Sequence, residues 1–251
     1  MRWCVGALVL LVFSTVPFEQ GFTADGWRKV GDGIHYQKVI IKPTDTSIGG
    51  IVHAIRIDTK KYYLAPVISK EIGKLNADVK TMADVSGAII VVNGGFFTPE
   101  YESLGLIIKN GQTVNKLKEI SWWHIFQLKS DIPQIVTKSE FQVMPEMPDI
   151  MMAIQTGPRL VIGGVIPKLK PSVAERSAIG ITVDNEVIIA VTEAAPLSLT
   201  DFAAHIKELG CFNAINLDGG SSSQIYAKTK EFELNRLGLS FIANGIGVFL
   251  K

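Results

Sequence analysis

The segment Asp218-Gly219-Gly220-Ser221-Ser222-Ser223 sets one carboxylate, two glycines and three hydroxyls side by side. Glycine permits positive φ and lets a ligand approach the backbone closely. Successive amides in such a turn can form an anion-binding nest, and serine hydroxyls rotate toward phosphate or sugar oxygens. The carboxylate adds acid–base or nucleophilic chemistry. The competing reading is a plain turn between two strands. Asn93-Gly94-Gly95-Phe96-Phe97 follows the same logic, with an amide in place of the carboxylate and two rings suited to a sugar face. One ring is expected in the core and one near the pocket.

Arg176 stands just before a strand expected at residues 177–183, and Arg159 follows Thr156-Gly157-Pro158. A guanidinium fork fits a phosphate bidentately; a solvated surface charge is the alternative for each. Glu193 ends the strand expected at 187–192 and is a candidate second carboxylate. Other chemistries lack their signatures. No G-x-S-x-G elbow surrounds the serines, and no H-E-x-x-H or Cys/His zinc spacing occurs. No G-x-G-x-x-G or Walker A loop occurs either, so the sequence requires no cofactor. A divalent metal stays open.

Each glycine turn is delivered by a helix that runs into a buried strand. Residues 78–85 read as a helix ended by Gly87, followed by the apolar run 88–92. Residues 199–209 read as a second helix, with Ser198 as its cap, Asp201 as capping-box partner and Gly210 at its end. Residues 214–217 follow as a short strand. His205 beside that helix's apolar stripe reads as solvated, and Cys211 as a buried apolar thiol. Asn110-Gly111 marks a hairpin with a type I′ turn, and Asp184-Asn185 marks another hairpin. Ile51, His53, Ile55 and Ile57 alternate as on a half-buried strand, with His53 a satisfied, partly buried histidine. Residues 133–148, richer in Pro and polar side chains, read as a loop excursion.

The whole chain bounds these readings. Its 251 residues, 47% hydrophobic, suffice for a full core. A net charge of +1 without a basic stripe argues against nucleic acid. Arg2, the apolar run 3–16 and the break at Pro17 form a signal peptide pattern, with the cut placed near Ala24. No other apolar stretch reaches spanning length, so no stable membrane span is expected after cleavage. Residues 25–251 are then one domain.

Five motifs occur in a fixed order: Asn93-Gly94-Gly95-Phe96-Phe97, Leu104-Gly105, Gln155-Thr156-Gly157-Pro158, Glu175-Arg176-Ser177-Ala178-Ile179-Gly180, and Asn213-Ala214-Ile215-Asn216-Leu217-Asp218-Gly219-Gly220-Ser221-Ser222. Together they resemble the phosphodiester glycosidase family, over roughly residues 34–251. Residues 193–202 are more similar to its bacterial, exported branch. Ser221 stands where the family's animal enzyme has a third glycine, and the cysteine-rich surroundings of that enzyme are missing.

The resemblance implies an α+β fold with a mixed, strand-rich central sheet and few helices. It implies hydrolysis of a sugar 1-phosphodiester in the periplasm or outside the cell. Asp218 takes the acid–base or nucleophilic role and Glu193 is the second carboxylate. Arg176, Gly219, Gly220, Ser221 and Ser222 contact phosphate, and Asn93 with Gly94 holds the sugar or the phosphate. Two rival readings use the same cleft. One is a non-catalytic module binding an envelope glycan. The other is a phosphodiesterase whose metal is held by Asp218, Asn93 and Glu193.

Overall fold

A computed structural model describes residues 22–24, 26–43, 48–142 and 149–251. The expected signal segment lies outside these residues except for Phe22–Ala24, an edge strand paired with Val39, Ile40 and Ile41. Strands dominate, and they form three main sheets. The first runs in the order Phe22–Ala24, Ile34–Ile41, Gly50–Ile57, Val187–Glu193, Ser177–Ile181, Asn213–Asn216, Arg159–Val161, with Arg28–Gly31 also on Ile34–Ile41. The second orders Ile132–Val136, His124–Lys129, Ile150–Thr156, Ile107–Lys109 and Gln112–Asn115. The third orders Glu233–Arg236, Ile225–Lys228, Ile90–Asn93, Asn244–Leu250 and Tyr62–Ile68.

The expectation of few helices holds. The expected single mixed sheet does not, because every pairing among the described strands is antiparallel. Long apolar strands hide on both faces here through layering instead of βαβ crossovers. The three sheets share one core, in which Ile55, Ile189 and Ile215 of the first meet Phe126 and Met152 of the second and Val92 and Ile246 of the third.

The outer faces carry the helices. Leu199–Glu208 covers the first sheet, setting Phe202, Ala203 and Ile206 against Val52, Ala54 and Ala190. Val79–Ser86 covers the third through Met82 and Ala83, packed with Val91 and Tyr226. Lys138–Gln142 covers the second through Phe141. Both long helices start as their caps direct. Asp78 accepts from the Thr81 amide at 2.7 Å, and Ser198 accepts from the Asp201 amide at 3.1 Å.

Several local expectations are corrected. Gly50–Ile57 is buried on both faces, because Val52 and Ala54 meet the helix-covered core. His205 is buried, since its side of the helix faces that core as well. The expected loop at 133–148 instead overlaps the strand Ile132–Val136 and holds the helix Lys138–Gln142, with 143–148 outside the described residues. The hairpin at Asn110-Gly111 has both residues at positive φ, as type I′ requires. At Asp184-Asn185 only Asn185 does, and Thr182 to Glu186 close a longer turn.

Candidate active site

The two glycine turns meet where all three sheets converge. Ile90–Asn93 delivers the first from the third sheet, and Asn213–Asn216 delivers the second from the first sheet. The Asp218 amide donates to the Gly94 carbonyl at 3.0 Å. Asn93 Nδ2 donates to the Asp218 carbonyl at 2.7 Å. Its Oδ1 accepts from Ser177 Oγ at 2.7 Å and from the Gln224 amide at 3.1 Å. Thr156, at the end of a second-sheet strand, donates to the Asn216 carbonyl at 3.1 Å. Asn93 is 0% exposed. The direct sugar contact expected of it therefore has no surface to occur on in this conformation. Its amide instead stitches the two turns together behind Asp218.

Gly94 is required by crowding. A Cβ there would lie 2.2 Å from Asn244 Oδ1, the atom that accepts from the Gly95 amide. At Gly219 a Cβ would meet the Glu175 carbonyl at 3.0 Å and approach Arg176 Nη1 at 3.9 Å. Gly220 alone of the pair has positive φ, 63°, and opens a short 3-10 turn over Gly220–Ser222.

The amide nest expected of this turn is largely used up. The Gly219 amide donates to Asp218 Oδ1, that of Gly220 to the Glu175 carbonyl, and those of Ser222 and Ser223 to Gly219 and Gly220. Ligand donors at this point are then the hydroxyls and Arg176. Ser221 is exposed, and its Oγ lies 3.1 Å from Ser240 Oγ. Burial raises the Asp218 carboxyl above the usual range, against hydrogen bonds from Ser222 and the Gly219 amide that favour its charged form.

Arg176 is 7% exposed. Its Nε donates to the Leu197 carbonyl at 3.1 Å, and its Nη2 donates to the carbonyl and the hydroxyl of Ser172. Among the described residues no carboxylate pairs with it, and burial alone lowers its pKa. A buried cation without a counter-ion is costly. Its remaining edge, Nη1, faces the Gly219 turn. Arg159, by contrast, is tied to Asn213 Oδ1 at 2.6 Å.

Glu193 sits at the end of its strand, with its side chain 43% exposed. Its Oε2 lies 2.7 Å from Nε2 of the buried His53. Glu175, inside a quoted motif yet not singled out, also belongs to the site. It accepts from Thr192 Oγ1 and from the Ala195 amide, and it pairs with Arg236 at 3.7 Å. Adjacency to Arg176 could have flagged Glu175, whereas Arg236 had no local signal.

Both rings are partly buried. Phe97 stacks on Tyr101 and packs beside the core under Val79–Ser86. Phe96 stacks on Trp123 with centroids 5.0 Å apart and meets Trp122 edge-on at 6.1 Å. Trp122 is 47% exposed, and its carbonyl packs on Gly157, next to Thr156. The adjacent tryptophans are a visible signal that sequence reasoning passed over. Among the described residues no three His, Cys, Asp or Glu side chains gather in metal-holding geometry. No described helix is long and apolar enough to cross a membrane.

Three strand-built layers converge on the half-buried Asp218 carboxyl, beside an arginine that no carboxylate among the described residues pairs. A family model for phosphodiester glycosidase covers residues 86–249, and the chain belongs to that family. Asn93, Arg176, Glu193 and Asp218 all lie within the match. Among individual relatives, the uncharacterised protein YigE of Escherichia coli K12 is 31% identical over 167 residues, which are 61% of this chain and 63% of YigE. The catalytic domain of zebrafish N-acetylglucosamine-1-phosphodiester alpha-N-acetylglucosaminidase, auto-inhibited by its pro-peptide, has a similar fold. The TM-score is 0.71 at 17% identity, over 92% of this chain and 88% of that one. A hypothetical protein from Synechocystis aligns with TM-score 0.62 at 17% identity, over 87% of this chain and 62% of its own. A Burkholderia pseudomallei protein described as exported aligns with TM-score 0.61 at 11% identity, over 99% and 100%.

Proposed function

We propose that this protein is an exported hydrolase that cleaves a sugar 1-phosphodiester at the glycosidic C–O bond, releasing free sugar and a phosphate monoester. The observation that carries the reading is Arg176: a buried guanidinium with no carboxylate partner among the described residues, its Nη1 edge beside the Asp218 turn. An anionic ligand there would supply the missing counter-charge. In the reaction the C1–O bond breaks with its electron pair leaving on phosphate. A water oxygen bonds to C1 and its proton passes to a carboxylate. Arg176 and the Ser221 and Ser222 hydroxyls stabilise the departing phosphate. Asp218 acts as nucleophile or base, Glu193 is the second carboxylate, and Trp122 with Phe96 offers a face to the sugar. Export is supported by the apolar run 3–16 behind Arg2 and by likeness to a protein described as exported.

The metal-dependent alternative is less favoured, because Asn93 Oδ1, one of its supposed ligands, already accepts two hydrogen bonds. Incubation with a panel of sugar 1-phosphodiesters, with and without a chelator, tests the reading. Free sugar released in both arms supports it. Turnover lost to the chelator and restored by a divalent cation selects the phosphodiesterase. Binding without turnover selects the glycan-binding module.

A further inference from the structure

Glu193 does not stand alone. His53 Nε2 lies 2.7 Å from its Oε2, and His53 Nδ1 lies 2.8 Å from Tyr36 Oη. His53 is 5% exposed and sits on Gly50–Ile57, directly across from Val191, two residues before Glu193. The backbone after Glu193 is pinned. Ala194 has a φ of 49°, a strained value for a residue with a side chain. A Cβ at the neighbouring Gly50 would lie 2.4 Å from the Ala194 carbonyl. Tyr36 is itself wedged against the Phe232 ring, with centroids 4.8 Å apart.

We propose that Tyr36, His53 and Glu193 form one proton-sharing unit, in which His53 is the positioning residue that aims the Glu193 carboxylate and Tyr36 fixes the imidazole tautomer. The hydrogen-bond arithmetic allows one arrangement for a neutral imidazole. A carboxylate only accepts, so Nε2 carries the proton; Nδ1 then accepts, and the tyrosine hydroxyl donates to it. Burial favours that neutral form. It lowers the His53 pKa against the hydrogen bond and charge of Glu193, which raise it, and Lys38 across the strand pair and Arg236 add smaller pulls downward. Burial pushes the Tyr36 hydroxyl up to about 12, with Arg28 pulling down and Glu193 pushing up, so it stays a donor. Arg236 is in turn paired with Glu175, whose carbonyl holds the Gly220 amide. The unit thus borders the Asp218 turn. The proposal rests on the reading of Glu193 as the second carboxylate, able to take the proton of an attacking water.

Imidazole nitrogen resonances of the full-length protein, labelled at histidine, test the unit without any substrate. The expected spectrum shows His53 as the Nε2–H tautomer. Glu193→Gln removes the opposing charge and lowers the His53 titration midpoint, and Tyr36→Phe lets the tautomers mix. An Nδ1–H tautomer, or a midpoint indifferent to Glu193→Gln, overturns the proposal. In kinetics, His53→Ala is expected to cut kcat about 10²-fold with KM within about twofold, as a misaimed group does. His53→Gln, which keeps a donor toward Glu193, restores part of it. Wild-type kcat in His53→Ala overturns the positioning role. A wild-type protein inert toward every sugar 1-phosphodiester discards the underlying reading, and the resonances then decide the unit alone.

Discussion

Replacing Asp218 by Asn separates a catalytic carboxyl from a structural one. The side chain keeps its shape, and Oδ1 can still accept from the Gly219 amide at 3.0 Å. The Ser222 hydroxyl can turn to suit an amide. What disappears is the ionisable group. Its loss is expected to lower kcat by about 10²–10⁴-fold if Asp218 serves in acid–base work, and by more if it is the nucleophile. Stability should move the other way. Burial raises the folded-state pKa of Asp218 above its unfolded value. The folded protein therefore holds this proton more tightly, and the group's contribution weakens as pH rises from the unfolded to the folded pKa. Above that window the half-buried carboxylate is a standing cost, and Asn removes it. At neutral pH the variant should melt at or above the wild-type Tm, and the gap should shrink in acid. The assay is paired: kcat on a sugar 1-phosphodiester and thermal unfolding across pH on one preparation. A lowered Tm with retained kcat would refute the reasoning and leave Asp218 a turn-capping residue.

Arg176→Lys should harm both activity and stability, since Arg176 also holds Leu197 and Ser172. About 2–4 kcal/mol of transition-state stabilisation and about 0.5–1.5 kcal/mol per lost hydrogen bond are at stake, and inorganic phosphate should raise the Tm of wild type but not of the variant. Trp122→Ala should raise KM by roughly 2- to 10-fold, about 0.5–1.5 kcal/mol, with Tm nearly unchanged because the ring is half exposed; an unchanged KM removes the ring from the sugar site. Gly94→Ala forces a methyl onto Asn244 Oδ1 and should cost about 1–3 kcal/mol in denaturant unfolding, with turnover lost because Asp218 hangs on the Gly94 carbonyl. Mass spectrometry of protein from its native host should find the segment up to about Ala24 removed, and a mature mass that keeps residues 1–16 in the membrane fraction would reject cleavage.

Local signals in the sequence carried far. The caps Asp78 and Ser198, the Asn110-Gly111 turn and the buried run before Asn93 are each written in a few neighbouring residues, and each is realised. The convergence of the two glycine turns was legible too, because both follow a helix and a buried strand. The division into three antiparallel sheets was not. It depends on which strands pair across more than a hundred residues, as Val187–Glu193 does with Gly50–Ile57. For the same reason His53 looked like an ordinary buried histidine, since its partner Glu193 lies 140 residues away. Asn93 reads as a contact to sugar or phosphate because its type suits either, whereas its burial and its bonds to Ser177 and Gln224 arise only in the fold. Arg236 reaches Glu175 only through the folded third sheet.

The central claim is that the C–O bond on the sugar side breaks, and hydrolysis in oxygen-18 water tests it most directly. The account predicts one heavy oxygen in the released sugar and none in the phosphate monoester. Heavy oxygen in the phosphate would mean P–O cleavage and contradict it.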